Sequence, residues 1–311
     1  MYFLIVPILL VFLFLLCCYL AYRKAYYNKK GRKKDSSVLP GDGQYAKVRS
    51  VTDLLYSEML EQPYEEVCII ARDGKKLFGR YYHVSHGAPV HIQFHGYRSS
   101  SLHDFCGGHK LAREMGHNVL AIDQRAHGGS DGHTISFGIK ERFDCIDWAS
   151  YLIELFGDDT KIILSGISMG AATVIMAAGE KLQKNIVAVI ADCPYSSPKD
   201  IILSVCKGMG IPPKLGYPFV YLGARIFGGF KLTESDALRG AEKSDVPILL
   251  IHGEDDDFVP CEMSKMIAAS NREKVILLTF PGAGHGLSYI VDTERYTKAV
   301  ADFLNTVLNQ T

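Results

Sequence analysis

The chain has 311 residues, with 34 Lys+Arg against 34 Asp+Glu, a formal net charge of zero. At 48% apolar and 22% charged it has the composition of a folded protein, not a disordered one, and the length allows one large domain or two modest ones. The charge is unevenly placed: no acid precedes Asp35, and seven Lys/Arg fall between Arg23 and Lys34, so 34 less seven leaves 27 basic against 34 acidic residues beyond, a net −7. An acidic body argues against broad phosphate-backbone binding, and no nucleic-acid partner is expected.

Met1 to Tyr22 carries no charge. As a helix rising 1.5 Å per residue it would reach about 33 Å, enough for a hydrocarbon core of about 30 Å. A cleaved signal peptide would need a basic start and a small-residue cleavage site, and neither is present. Leu15-Leu16 before Cys17-Cys18 likewise lack the small residue of a lipoprotein site. The segment is therefore expected to be a single-pass membrane anchor. The basic collar C-terminal to it predicts a cytoplasmic body, with Met1 on the far side. Residues 23–62 read as collar and linker, turn-rich at Asp35-Ser36-Ser37 and Pro40-Gly41-Asp42-Gly43, with a short helix over Val51–Leu60.

The body, residues 63–311, is regular. Val67–Ala71 and Leu77–Tyr82 read as strands of a hairpin around Asp73-Gly74. Strands are expected at Val90–Phe94, Val119–Asp123, Lys161–Leu164, Ile186–Ala191, Pro247–Ile251 and Val275–Phe280. Between and after them the spacing predicts helices over Leu102–Met115, Ile139–Phe156, Met169–Lys181, Cys261–Ser270 and Thr293–Val307. Alternating strands and helices imply an α/β fold, a mostly parallel sheet covered on both faces. Residues 194–245 interrupt the alternation, with Gly208, Gly210, Pro212, Pro213 and Gly216, and are expected to form a small helical cap. The eight cysteines are scattered without a C-x-x-C, as in a reducing compartment.

The pattern G-x-S-x-G occurs at Gly166–Gly170 and again at Gly128–Gly132. Only Ser168 stands between a predicted strand and a predicted helix, as a nucleophile elbow requires. Ser130 follows a polar loop and is read as an incidental turn residue. A serine hydroxyl needs a base to take its proton and an acid to orient that base. His285, in the glycine loop after the last strand, is the candidate base. The candidate acid is Asp256 in His252-Gly253-Glu254-Asp255-Asp256-Asp257-Phe258-Val259-Pro260, with Asp255 and Asp257 as alternates. An oxyanion would need two N–H donors, expected from the backbone of Met169 and of Tyr97. His127 is read as a structural residue of a supporting loop. His83-x2-His86 and His91-x3-His95 lack the company of a zinc site, so no metal is expected. Neither G-x-G-x-x-G opening a helix after the first parallel strand nor a P-loop occurs.

Phe94–Ser100 (FHGYRSS), Asp123–Gly132 (DQRAHGGSDG), Gly166–Ala172 (GISMGAA), His252–Pro260 (HGEDDDFVP) and Gly282–Gly286 (GAGHG) follow one another in chain order. Together they resemble the α/β-hydrolase superfamily, in particular its serine aminopeptidase and monoacylglycerol-lipase-like branch. Ala126 stands where that family usually has Gly. The resemblance implies an eight-stranded sheet, a triad of Ser168, Asp256 and His285, and no cofactor. It leaves the substrate open, because the fold hosts many acyl chemistries. The expected activity is a membrane-anchored serine hydrolase acting on a small-molecule acyl or ester substrate through an acyl-enzyme, carboxylesterase- or lipase-like. A peptidase or amidase, an acyltransferase, and a non-catalytic binding module are the alternatives.

Overall fold

The structure is a computed structural model that describes residues 2–29, 45–46 and 48–310. The collar residues Lys30 to Lys34 and the turns at Asp35–Ser37 and Pro40–Gly43 lie outside the described residues. Helix α1 (Tyr2–Ala25) is long and apolar enough to cross a membrane. Its only charges, Arg23 and Lys24, lie in the last turn, where cations suit the negative end of the helix dipole. From Ile5 to Leu16 its side chains are exposed, whereas Cys18 and Tyr22 are buried against the body.

Helix α2 (Arg49–Leu60) leads to the hairpin β1 (Glu65–Ile70) and β2 (Lys76–Tyr82), closed at Gly74 with φ +81°. Then come β3 (Val90–Phe94), α3 (Ser101–Asp104), α4 (Cys106–Glu114), β4 (Asn118–Asp123), α5 (Glu141–Phe156), β5 (Ile162–Ile167), α6 (Met169–Ala178) and β6 (Ile186–Asp192). The predicted helix over Leu102–Met115 is thus two helices that part at Phe105 (φ −105°, ψ 10°). Gly107 and Gly108 just beyond weaken the local helical drive, and the Phe105 side chain is buried instead of following the helix face. After β6 the expected helical insertion appears as α7 (Pro198–Gly208), α8 (Pro213–Gly223), a π-helical turn (Ala224–Gly228) and α9 (Ala237–Glu242). The chain ends with β7 (Ile248–Gly253), α10 (Glu262–Ser270), β8 (Val275–Phe280), α11 (Ser288–Val291) and α12 (Thr293–Leu308).

The eight strands form one sheet in the order β1-β2-β4-β3-β5-β6-β7-β8. β2 is antiparallel to both β1 and β4, and every other pair is parallel. Successive strand residues point to opposite faces, so β5 splits between two cores. Leu164 joins Ile92, Trp148 and Val174 on one side, while Ile163 joins Leu249, Ile251 and Phe303 on the other. The order reverses around β3, with β4 on one side of it and β5 on the other, which opens a crevice beyond the carboxyl ends of β3 and β5.

One ion pair fastens the antiparallel corner. The buried Arg125 guanidinium donates to Asp144 of α5 (Nε to Oδ2 2.7 Å) and to Asp73 of the hairpin turn (Nη1 to Oδ2 2.9 Å). Arg125→Met should destabilise the fold by about 3–5 kcal/mol, because it leaves the Asp144 carboxylate buried without its cation. Thermal or urea unfolding checks this, and a loss below about 1 kcal/mol would contradict it.

Candidate active site

The turn after β5 explains the spacing of the glycines. Ser168 sits at φ +56°, ψ −114°, a strained backbone for a side-chain-bearing residue. A Cβ on Gly170 would stand 1.7 Å from the Phe94 carbonyl oxygen, and one on Gly166 2.3 Å from the Gly170 oxygen. Only glycine lets α6 start this close to β3. The second copy of the pattern is different: Ser130 Oγ donates to Asp123 O (2.6 Å) and accepts from Phe78 N–H (2.9 Å), which locks β2 to the end of β4.

Ser168, His285 and Asp256 meet at the carboxyl edge of the sheet. Ser168 Oγ lies 2.9 Å from His285 Nε2, and His285 Nδ1 lies 2.7 Å from Asp256 Oδ2. Of the four consecutive acids Glu254–Asp257, only Asp256 is buried. Its Oδ1 accepts the N–H groups of Phe258 (3.0 Å) and Val259 (2.8 Å). Burial pushes the Asp256 carboxyl up, but hydrogen bonds from His252, His285 and Val259 outweigh it and hold the group well below the carboxylate range. Asp256 is therefore ionised and acceptor-only. The His285 ring thus faces Asp256 through Nδ1 and the Ser168 hydroxyl through Nε2.

Several supporting residues escaped the sequence reading. His252 Nε2–H donates to Val259 O (2.8 Å) and lies 3.3 Å from Asp256 Oδ2, while its Nδ1 meets Ser264 Oγ at 2.7 Å. It ties both ends of the Asp256 turn, which is the physical content of the H-x3-D-x2-V spacing. Asp104 accepts Gly96 N–H (2.6 Å) and the Ser99 hydroxyl (2.6 Å), pinning the loop after β3. His127, read as structural, accepts Arg98 N–H at Nε2 (3.1 Å) and faces Arg125 O through Nδ1 (3.0 Å). Burial and the neighbouring His95 push its ring down to about 3, so it stays neutral and keeps Nε2 as an acceptor. No hydrogen-bond partner holds the N–H of Tyr97 or of Met169 among the described residues. Tyr97 N–H follows β3 and Met169 N–H opens α6, on either side of the crevice above Ser168.

A cavity of about 550 Å³ opens at Ser168 and His285. Its walls are largely apolar, with Leu55, Phe105, Leu111, Ile190 and Ile290 among them. No residue from Cys193 to Asp245 lines it. The helical insertion lies along α1, α6 and α10 instead, and Thr52 and Leu55 of α2 line the cavity. Deeper in, the cavity reaches His91, Gln93, Ser165 and Asp192 on the α12 side of the sheet.

Asp192 ends β6, and its carbonyl accepts Ser168 N–H (2.8 Å). Burial pushes its carboxyl up from 3.8 to about 7, against the pull of His252, His285 and a Tyr296 hydrogen bond.

The fold and this constellation define a hydrolase of the α/β class. The family model described as the alpha/beta hydrolase family matches residues 84–303, and the chain belongs to that family. It is similar to the uncharacterised protein YqkD of Bacillus subtilis, 29% identical over 233 residues, 74% of this chain and 76% of that one. It is also similar to the uncharacterised membrane protein YNL320W of Saccharomyces cerevisiae, 26% identical over 194 residues, 62% of each chain. Among solved structures, the Pyrococcus furiosus esterase Pf2001 superposes with a TM-score of 0.67 at 27% identity, over 80% of this chain and 93% of that one.

Because native Asp192 binds its proton more tightly than an unfolded aspartate, it costs stability as pH rises from about 4 to about 7. Asp192→Asn should therefore gain stability over the wild type across that window, reaching roughly 4 kcal/mol by pH 8. Denaturant unfolding at pH 5 and pH 8 checks this, and an equal difference at both pH values would contradict it.

Proposed function

We propose that the chain is a membrane-anchored serine esterase that works through an acyl-enzyme. The observation that carries this is the hydrogen-bonded row Ser168–His285–Asp256 at the mouth of the cavity, with two unengaged N–H groups beside the hydroxyl. Ser168 Oγ attacks the ester carbonyl while its proton passes to His285 Nε2. Asp256 keeps the imidazole oriented and stabilises the charge it acquires. The N–H groups of Met169 and Tyr97 receive the negative oxygen of the tetrahedral intermediate. Collapse breaks the bond to the alcohol, which leaves with the proton from His285. Water then attacks the acyl-Ser168, gives its proton to His285, and the acid departs as Ser168 recovers its hydrogen. The Pyrococcus furiosus neighbour, an esterase, supports this class of substrate. The apolar cavity wall favours an acyl chain.

Residues 1–22 serve as the anchor, 23–62 as collar and linker, and 63–311 as the catalytic body. The membrane-protein relative in yeast and the apolar α1 support the anchor, and the collar favours a cytoplasmic body.

A fluorophosphonate probe should label the wild type and Ser130→Ala, but not Ser168→Ala, and ester turnover should fall by a factor of about 10³ or more in Ser168→Ala. Equal turnover by wild type and Ser168→Ala would reject the mechanism. For the topology, external protease on intact cells should leave the body uncut. Its removal from outside would place it on the other face.

A further inference from the structure

Residues Tyr22–Asn28 are built into the body. Tyr26 is fully buried, its ring edge-on to Phe137 (5.5 Å between centroids) and to Phe230 (5.3 Å). Tyr22 OH meets Thr134 Oγ1 (2.8 Å), and Tyr26 O accepts Ile135 N–H (2.8 Å).

The end of α1 then meets the loop after β3. A helix leaves its last carbonyls without intrahelical partners. Here the Tyr97 hydroxyl donates to Ala25 O (2.8 Å), and Arg98 Nη2 donates to both Lys24 O and Tyr27 O (2.9 Å each). A guanidinium at this end is also favoured by the helix dipole. The Arg98 backbone has φ +56°, a strained conformation that outside contacts must hold. Those contacts are the guanidinium on the helix end and the bond from Arg98 N–H to His127. The helix segment reaches the His127 side too, because Asn28 Nδ2 donates to Ala126 O (2.8 Å), next to His127. The Tyr97 ring itself stacks on Phe137 (5.4 Å), the ring that Tyr26 packs against.

We propose that the C-terminal turn of the anchor helix, Lys24–Asn28, is a positioning element of the active site, acting through Tyr97, Arg98 and Asn28 to aim the Tyr97 N–H at the developing oxyanion. This rests on the serine-hydrolase reading above. It differs from ordinary anchoring: the helix end holds the loop whether or not the substrate is in a membrane. A misaimed N–H weakens the transition state and leaves substrate binding nearly intact, so the effect falls on kcat.

The test uses the full chain in detergent micelles, with a water-soluble short-chain aryl ester and with active sites counted by fluorophosphonate titration. Tyr97→Phe removes one oxygen and keeps the backbone N–H. It should lower kcat per titrated site about fivefold to tenfold with KM within about twofold. Arg98→Met should lower kcat about tenfold or more, and Arg98→Lys should recover part of it. Asn28→Ala should fall between them and the wild type. A boronic acid whose tetrahedral adduct occupies the oxyanion position should lose affinity in proportion to kcat. Wild-type kcat per titrated site in Tyr97→Phe and Arg98→Met would overturn the proposal, as would a loss confined to the number of titratable sites. If Arg98→Met does not fold, Tyr97→Phe alone decides. Failure of the underlying reading shows separately, as ester turnover unchanged in Ser168→Ala.

Discussion

The approach of α6 to β3 is the constraint on which the site depends. With Gly170 against the Phe94 carbonyl, the first turn of the helix lies hard on the carboxyl end of the neighbouring strand. That contact forces Ser168 out of ordinary backbone space and lifts its hydroxyl above the sheet edge. It also sets the Met169 N–H, at the helix start, opposite the loop that follows β3. The Ser168 hydroxyl and the Met169 N–H are thus placed by one packing contact, and the strain at Ser168 is held by the two buried cores on either face of the sheet.

Around this contact, Asp256 and His127 are each held by their surroundings in one charge state. Asp256 has two backbone N–H donors on one oxygen and histidines on the other, which leaves it no reason to take a proton. His127 is held neutral by burial, so its acceptor nitrogen is always available to Arg98 N–H. Asp192 is different: burial pushes its carboxyl up to about 7. One of its oxygens is buried without a hydrogen-bond partner among the described residues, and it borders the same cavity as Ser168. Its carboxyl lies between Ser168 and the polar floor of the cavity formed by His91, Gln93 and Ser165.

The parts of this arrangement that were legible in the sequence are those whose chemistry is local. The two copies of G-x-S-x-G were separated by what flanks them, a strand and helix at Ser168 against a polar loop at Ser130, and the hydrogen bonds of the two serines differ accordingly. The sequence singled out Asp256 by its place in H-G-x-x-D-x-x-V-P, with Asp255 and Asp257 as alternates, and of the three Asp256 is the one buried and capped by the N–H groups of residues two and three positions on. Asp104 and His252 were not singled out, since each acts through a contact whose partner sets its meaning. Asp104 is an unremarked residue of a helix start until the loop after β3 folds onto it. The insertion was legible as a helical interruption, but composition carries no information about which face it covers. α2, in a stretch that reads as linker, contributes Thr52 and Leu55 to the cavity wall. The burial of Tyr26 between Phe137 and Phe230 was hidden for the same reason, because its partners lie far along the chain.

The burial of Tyr22 and Tyr26 also bears on how the rest of α1 is oriented. A helix whose end is clamped by Tyr97 and Arg98 cannot pivot freely, so its outer part projects from the body in one direction. The insertion follows it. Phe14 packs on Phe219 (5.6 Å), Tyr19 on Phe227 (5.2 Å), and a Cβ on Gly223 would stand 2.6 Å from the Cys18 carbonyl oxygen. The exposed apolar surface of α1 therefore continues onto Leu215, Ile226 and Phe227. Whatever surroundings accept Phe14 must accept Phe219 as well, because neither ring can be wetted or buried apart from the other. A body joined to α1 by these contacts does not sample all orientations relative to it, as one on a flexible tether would.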